Sequence, residues 1–276
     1  MRYNRNSLKI ILWHKKYTEN RCEENIMLAR LEMKLEKADG ISYQMSSAFH
    51  GALMELFPKE YGEKLHLSKL HPYTQHLEFR EGDWYWIVTA LNEEAADQII
   101  GKALMSLKEI TIKKHHICLK IQDKIYKELS DRELAFSFYQ EQASPFISIH
   151  FVTPTTFKQN GRYLNYPDIR CIYTNLMNKY DASNTEESMK DEETLEQLVE
   201  STSIFRYDLK STWFSLESVK IPAFIGKVTF RLRGSQTMIN FANLLFRFST
   251  YSGIGVKTAL GMGAVRIMEE RKKQNG

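Results

Sequence analysis

Polar and apolar residues alternate from residue 27 to 36, with Met27, Ala29, Leu31, Met33 and Leu35 on one side and Arg30, Glu32, Lys34 and Glu36 on the other. A two-residue period of this kind predicts a strand buried on one face. After Asp39-Gly40 the period lengthens, and Ile41, Met45, Phe49, Ala52, Leu53 and Leu56 recur at helical spacing until Pro58 closes the run. Tyr43, Ser46, Ser47 and His50 share the opposite face of that helix. A long connection over residues 61 to 72 leads to a short strand near 76 to 79, and Glu81-Gly82-Asp83 turns the chain into an apolar strand over 84 to 89. Asn92 is placed to cap the next helix, which runs through Met105. The apolar parity then flips between Ile110/Ile112 and Ile117/Leu119/Ile121, the mark of a bulge or of two short strands. The order is β-α-β-β-α-β, the ferredoxin-like arrangement.

Residues 123 to 145 are polar apart from Leu134-Ala135-Phe136, and predict a linker with one helix. The element order then repeats with longer insertions. Ile147, Ile149 and Phe151 mark a strand, Pro167 opens a helical stretch to about Tyr180, and residues 192 to 200 form an acidic helix. Strands follow over about 204 to 216 and 223 to 233. The second of these sets Phe224, Val228, Phe230 and Leu232 against a basic face of Lys227, Arg231 and Arg233. Ser235 caps a helix to about Ser249, and Ala264-Val265-Arg266-Ile267 supplies the last strand. The halves share this order without a residue-level repeat. The reading is α+β, two tandem ferredoxin-like domains over 26–122 and 146–270, joined by a linker over 123–145, with an extension over 1–25 and a basic tail over 271–276.

Length and composition fit this picture. The chain has 276 residues, 43% of them hydrophobic, enough for one large domain or two ordinary ones. Its net charge of +4 is unevenly spread. Between Arg206 and Lys273 stand twelve Lys/Arg against four Asp/Glu, whereas Asp181 to Glu200 holds eight carboxylates and one lysine. A basic C-terminal region suits a polyanion. Cys22, Cys118 and Cys171 are widely spaced and odd in number, which argues against a disulfide framework or a zinc knuckle and for a reducing cytoplasm. His115-His116 beside Lys113-Lys114 lacks the carboxylate or cysteine company of a metal site and reads as basic surface. No apolar run reaches membrane-spanning length.

The densest chemistry lies in residues 252 to 263, where Gly253, Gly255, Gly261 and Gly263, four of the thirteen glycines, surround Lys257-Thr258. Such glycine density means positive φ or close backbone approach, and exposed amides beside a lysine would seat a phosphate. Two nucleotide motifs fail here. A Walker A loop needs Gly before Lys-Ser/Thr, where Val256 stands, and the dinucleotide fingerprint needs a third glycine at Thr258 in a strand-to-helix turn. The order here is helix, loop, strand. No stretch matches the aromatic RNP1 pattern of an RRM.

Four stretches together resemble one family: the glycine loop, Leu65-His66 ahead of Pro72-Tyr73-Thr74-Gln75, Thr153-Pro154-Thr155-Thr156-Phe157-Lys158, and Ile221-Pro222-Ala223-Phe224-Ile225-Gly226. The loop resembles the signature of the RAMP superfamily of CRISPR-associated proteins, and the other three resemble its CRISPR repeat-processing endoribonuclease. The resemblance covers roughly residues 27 to 269. It implies metal-independent, cofactor-free cleavage of precursor crRNA, in which a ribose 2′-hydroxyl attacks the adjacent phosphate. The implied partners are CRISPR repeat RNA and a CRISPR effector complex, for a cytoplasmic monomer or homodimer that binds no membrane.

The resemblance also places a catalytic histidine just after the first helix, where His66 stands; it is assigned as general acid or base. His50, on the polar face of that helix, is its rival. Some branches use a tyrosine from this region, for which Tyr43 is the candidate, and Lys69 is placed to steady the phosphate. RNA contacts are expected from Lys227, Arg231, Arg233, Lys257, Thr258 and the amides of Gly253, Gly255, Gly261 and Gly263. A non-catalytic RNA-binding subunit of an effector complex would share the fold and the loop and need neither histidine. A ferredoxin-like small-ligand module is a third reading, disfavoured by the basic C-terminal half.

Overall fold

The alternation at the head of the chain becomes β1 (Met27–Leu35), in which Ala29, Leu31, Met33 and Leu35 are buried. The structure, a computed structural model, describes residues 27–68, 70–130, 133–134, 143–183, 190–217 and 219–268. The expected N-terminal extension and basic tail lie outside these. A short 3-10 turn (Tyr43–Met45) leads into α1 (Ser46–Glu55), which turns Phe49 and Leu53 inward. Pro58 does not open a long connection; it starts a second helix, α2 (Lys59–Leu67). Tyr61 and Leu65, one turn apart, are its buried side, and the charged residues around them hid so narrow a stripe.

β2 (Tyr73–Arg80) and β3 (Asp83–Ala90) form a hairpin across Glu81 and Gly82, both at positive φ. The Asn92 carboxamide accepts from the Ala95 amide and caps α3, which opens at Glu93–Ala95 and continues as a π-helix over Ala96–Leu104. The parity flip resolves into β4 (Glu109–Ile112) and β5 (Ile117–Ser130), separated by a 3-10 turn that ends with His116 in the left-handed region. β5 therefore runs into the stretch expected as linker. Its side chains there are mostly exposed, but its backbone pairs with β1 from Met27↔Ser130 onward.

The second half comprises β6 (Phe146–Thr155), the small hairpin β7 (Phe157–Gln159) and β8 (Arg162–Leu164), α4 (Ile169–Ser183) and α5 (Glu192–Ser201). The paired long strands β9 (Thr202–Leu216) and β10 (Val219–Leu232) follow, then α6 (Gln236–Ser252), a 3-10 turn (Thr258–Leu260) and β11 (Val265–Met268). Ser235 caps α6 by accepting from the Met238 amide.

The first sheet has the order β2-β3-β1-β5-β4 and the second β11-β6-β10-β9, with antiparallel pairing throughout. In each half the first strand lies between the third and the last and the second strand takes an edge, so both halves are ferredoxin-like, with β4 added to the first. Each has its own core. In the first, Phe49 packs edge-on against Trp86 at 5.3 Å; in the second, Phe151 meets Phe224 at 4.9 Å. The halves are tied by hydrogen bonds: Thr74 and Thr89 donate to the Tyr251 carbonyl, and Gln44 bridges the Trp213 carbonyl and the Ser215 amide. No helix among the described residues is long and apolar enough to cross a membrane.

Candidate active site

The edge strand β2 sorts the chemistry. Alternation sends Tyr73, Gln75 and Leu77 to the helix side of the first sheet, and Thr74, His76 and Glu78 to the side facing the second half.

On the helix side α1 presents His50 to Tyr73. The tyrosine hydroxyl lies 3.2 Å from His50 Nδ1, the rings are near-parallel at 6.2 Å, and His71 stands 5.6 Å from Tyr73 and 6.4 Å from His50. Burial pulls the His50 pKa down to about 4, helped by the neighbouring charges of His71 and His66, and the Ala259 carbonyl only partly opposes this. His71 is lowered in the same direction by burial and by His66, and its Nδ1 has no hydrogen-bond partner among the described residues. His66 itself lies exposed in the last turn of α2, and its charge acts on both. Lys64 anchors that helix to α3 through Glu94 at 2.6 Å.

The glycine loop is packed against the same helix. Ser46, at the start of α1, would overlap any Cβ added at Gly261, and Gly255 comes as close to the Thr156 carbonyl. Both glycines have positive φ, 104° and 91°. Close approach and backbone conformation together account for glycine at these positions. Gln75, fully buried, donates to the Ser46 carbonyl at 2.8 Å and to the Ala259 carbonyl at 3.0 Å, and Trp86 holds its oxygen. From the other half, Lys179 of α4 reaches the carbonyls of Ser252 and Gly253 at 2.8 and 3.0 Å and the Thr258 hydroxyl at 3.4 Å. Burial brings its pKa down to about 7.

These contacts correct one expectation. The amides of Gly253, Gly255, Gly261 and Gly263 do not face outward; they donate to Ser249 O, Asn175 Oδ1, Thr258 O and Pro154 O. Among the described residues no hydrogen bond engages the amides of Lys257 and Thr258, and Lys257 is half-exposed at φ 60°.

Lys227, Arg231 and Arg233 are exposed on β10, in the second sheet, or directly after it. Lys227 pairs in register with His150 of β6, which Arg266 flanks; Arg266 in turn forms an ion pair with the buried Glu78 of β2. Arg231 lies over the Phe146 ring at 5.8 Å. Tyr43 is half-buried in the turn before α1, and no hydrogen bond among the described residues joins it to His50. Lys69 lies outside the described residues. His115 and His116 are exposed on the β4–β5 turn.

The structure thus gathers His50, His66 and the glycine loop and leaves the β10 cations on another face. Sequence reasoning had not singled out His71, Tyr73, Gln75 or Lys179 as site residues. The first three follow directly on Leu65-His66 in the chain; Lys179 carried no local signal.

Comparison with known proteins follows the same lines. Residues 149–265 match the family model of CRISPR-associated endoribonuclease Cas6. The CRISPR-associated endoribonuclease Cas6 of Streptococcus thermophilus is 32% identical over 245 residues, covering 89% of this chain and all of that protein. That of Mycobacterium tuberculosis (strain CDC 1551 / Oshkosh) is 29% identical, over 79% of this chain and 70% of the relative. Among solved structures a Cas6 product complex superimposes with a TM-score of 0.74 over 88% of this chain and all of that one, at 21% identity, a likeness of fold.

Proposed function

The chain belongs to the Cas6 family of CRISPR-associated endoribonucleases, and from that premise we propose that it cuts CRISPR precursor RNA within its repeats by metal-independent transesterification. The ribose 2′-oxygen forms a bond to the adjacent phosphorus as the bond to the 5′-oxygen breaks. The products are a 2′,3′-cyclic phosphate and a 5′-hydroxyl. One proton leaves the 2′-hydroxyl and one reaches the departing oxygen, so the site needs an imidazole open to the RNA.

The observation that carries the assignment is the contrast between two histidines. His50 is half-buried, its Nδ1 occupied by Tyr73 and its ring facing the Ala259 carbonyl, whereas His66 is exposed in the last turn of α2. His66 is the proton-transfer group. Lys257 and Thr258 on the loop, and Lys227, Arg231 and Arg233 on β10, hold the phosphates, with the four glycines shaping the loop rather than binding through their amides.

The test is cleavage of a labelled repeat RNA in excess EDTA, with a 2′-deoxy substitution at the cut site as control. The normal RNA is cut and the 2′-deoxy RNA is not. His66→Ala slows single-turnover cleavage by about 100-fold or more, the usual weight of a general acid or base, while RNA affinity stays near that of the wild type. Full activity in His66→Ala refutes the assignment. An intact normal RNA refutes the nuclease and leaves an RNA-binding subunit.

A further inference from the structure

Lys179 is an expensive residue to keep. Its ammonium is buried, no carboxylate among the described residues offsets its charge, and a buried charge without a counter-ion is costly. What it has instead is three oxygens for three N–H bonds: the Ser252 and Gly253 carbonyls, which end α6, and the Thr258 hydroxyl, which opens the 3-10 turn. These oxygens belong to opposite limbs of the glycine loop, so one side chain draws the limbs together. The loop so closed meets the first half through Gly261 on Ser46 and through Ala259, whose carbonyl takes the Gln75 amide. The route runs from α4 of the second half, through the loop, to the start of the helix that carries His50.

We propose that Lys179 is a positioning residue for RNA cleavage, an internal ammonium that clamps the glycine loop so that Lys257 and the histidine cluster stand in register on the bound RNA. It does not touch RNA itself. This rests on the nuclease reading above, because register matters only if the cluster acts on the strand that Lys257 holds. Misplacement of reacting groups by an ångström is enough to cost orders of magnitude in rate.

Lys179→Met removes the donors and keeps an unbranched apolar stem; Lys179→Gln keeps N–H donors without the charge. With the protein saturating over repeat RNA, the Met variant cuts about 100-fold more slowly than wild type, and the Gln variant lies between. Urea titration at the assay temperature shows both variants folded, and hydrogen exchange of the amides over residues 252 to 263 is faster in the Met variant. A Met variant that cuts at the wild-type rate overturns the proposal. So does a rate loss that merely tracks the unfolded fraction, which would make Lys179 a stability residue. A wild type that cuts no RNA refutes the nuclease reading instead, and loop exchange then still decides whether the clamp exists: unchanged exchange removes it.

Discussion

The His50 environment makes a quantitative prediction about acid. Burial beside Tyr73 holds its folded-state pKa at about 4 against an ordinary 6.5. Above the ordinary value the imidazole is neutral in both folded and unfolded chains, and its contribution to stability is complete. As the pH falls from 6.5 toward 4 the unfolded chain takes up a proton that the folded chain refuses, so stability is lost across that window and no further below it. At about 1.4 kcal/mol per pH unit the gap corresponds to about 3 kcal/mol. His50→Asn removes the titration and leaves a carboxamide oxygen to accept from Tyr73. Urea unfolding of both proteins, from neutral pH down to about pH 4, should therefore give curves that converge or cross on acidification, the wild type losing about 3 kcal/mol more. His76 and His150, both lowered by burial and neither coupled to His50, remain in both proteins and cancel in the difference. Parallel curves would refute the argument and mean that the His50 ring is far wetter than its packing on Tyr73 allows.

Three further outcomes follow from single contacts. Gly261→Ala should destabilise the protein by about 2–4 kcal/mol, part overpacking against Ser46 and part positive-φ strain; adding Ser46→Gly should relieve the clash but not the strain, so urea unfolding recovers part of the loss. Replacing Lys227, Arg231 and Arg233 with alanine should flatten the salt dependence of RNA affinity by about 2 in log–log slope, measured by filter binding; an unchanged slope would remove the β10 face from the RNA path. Phe49→Ala should cost about 3–5 kcal/mol in unfolding free energy, since that ring is fully buried edge-on to Trp86.

Much of the fold was legible because the signals were local. Asn92 and Ser235 announce their helices by a side-chain oxygen that meets an amide three residues on, and β1 alternates because one face packs into the first core while Arg30 and Glu32 pair on the other, which is also buried. What escaped was decided by partners distant in sequence. The end of β5 is a strand because β1 pairs with its backbone, and exposed polar side chains carry no trace of that. The helix α2 rests on Tyr61 and Leu65, too few residues to outweigh the charges around them. In the candidate site, His66 and His50 stand out by motif and helix face. The difference between their surroundings does not, because it depends on Tyr73 and Ala259 closing over one ring and leaving the other open.

The glycine stretch was visible at once, but its density has a different cause from the one that a phosphate seat suggests. Its apolar residues are shared out: Ile254 enters the core of the second half, Ala259 that of the first, and Met262 a small cluster with Phe214 and Ile221 at the β9–β10 pair. A segment that must reach three clusters within nine residues has to reverse direction repeatedly, and glycine permits those reversals where Cβ atoms would strike Ser46 or Thr156. With its glycine amides consumed in holding that shape, what the loop keeps for a phosphate on the proposed reading is Lys257 and the amides of Lys257 and Thr258, which no hydrogen bond among the described residues engages. Its larger contribution is mechanical. The same backbone that carries Lys257 is wedged against the helix of His50, so a shift of the loop moves that lysine and the histidine cluster together, and on the proposed reading RNA binding and cleavage should fail together when the loop is loosened.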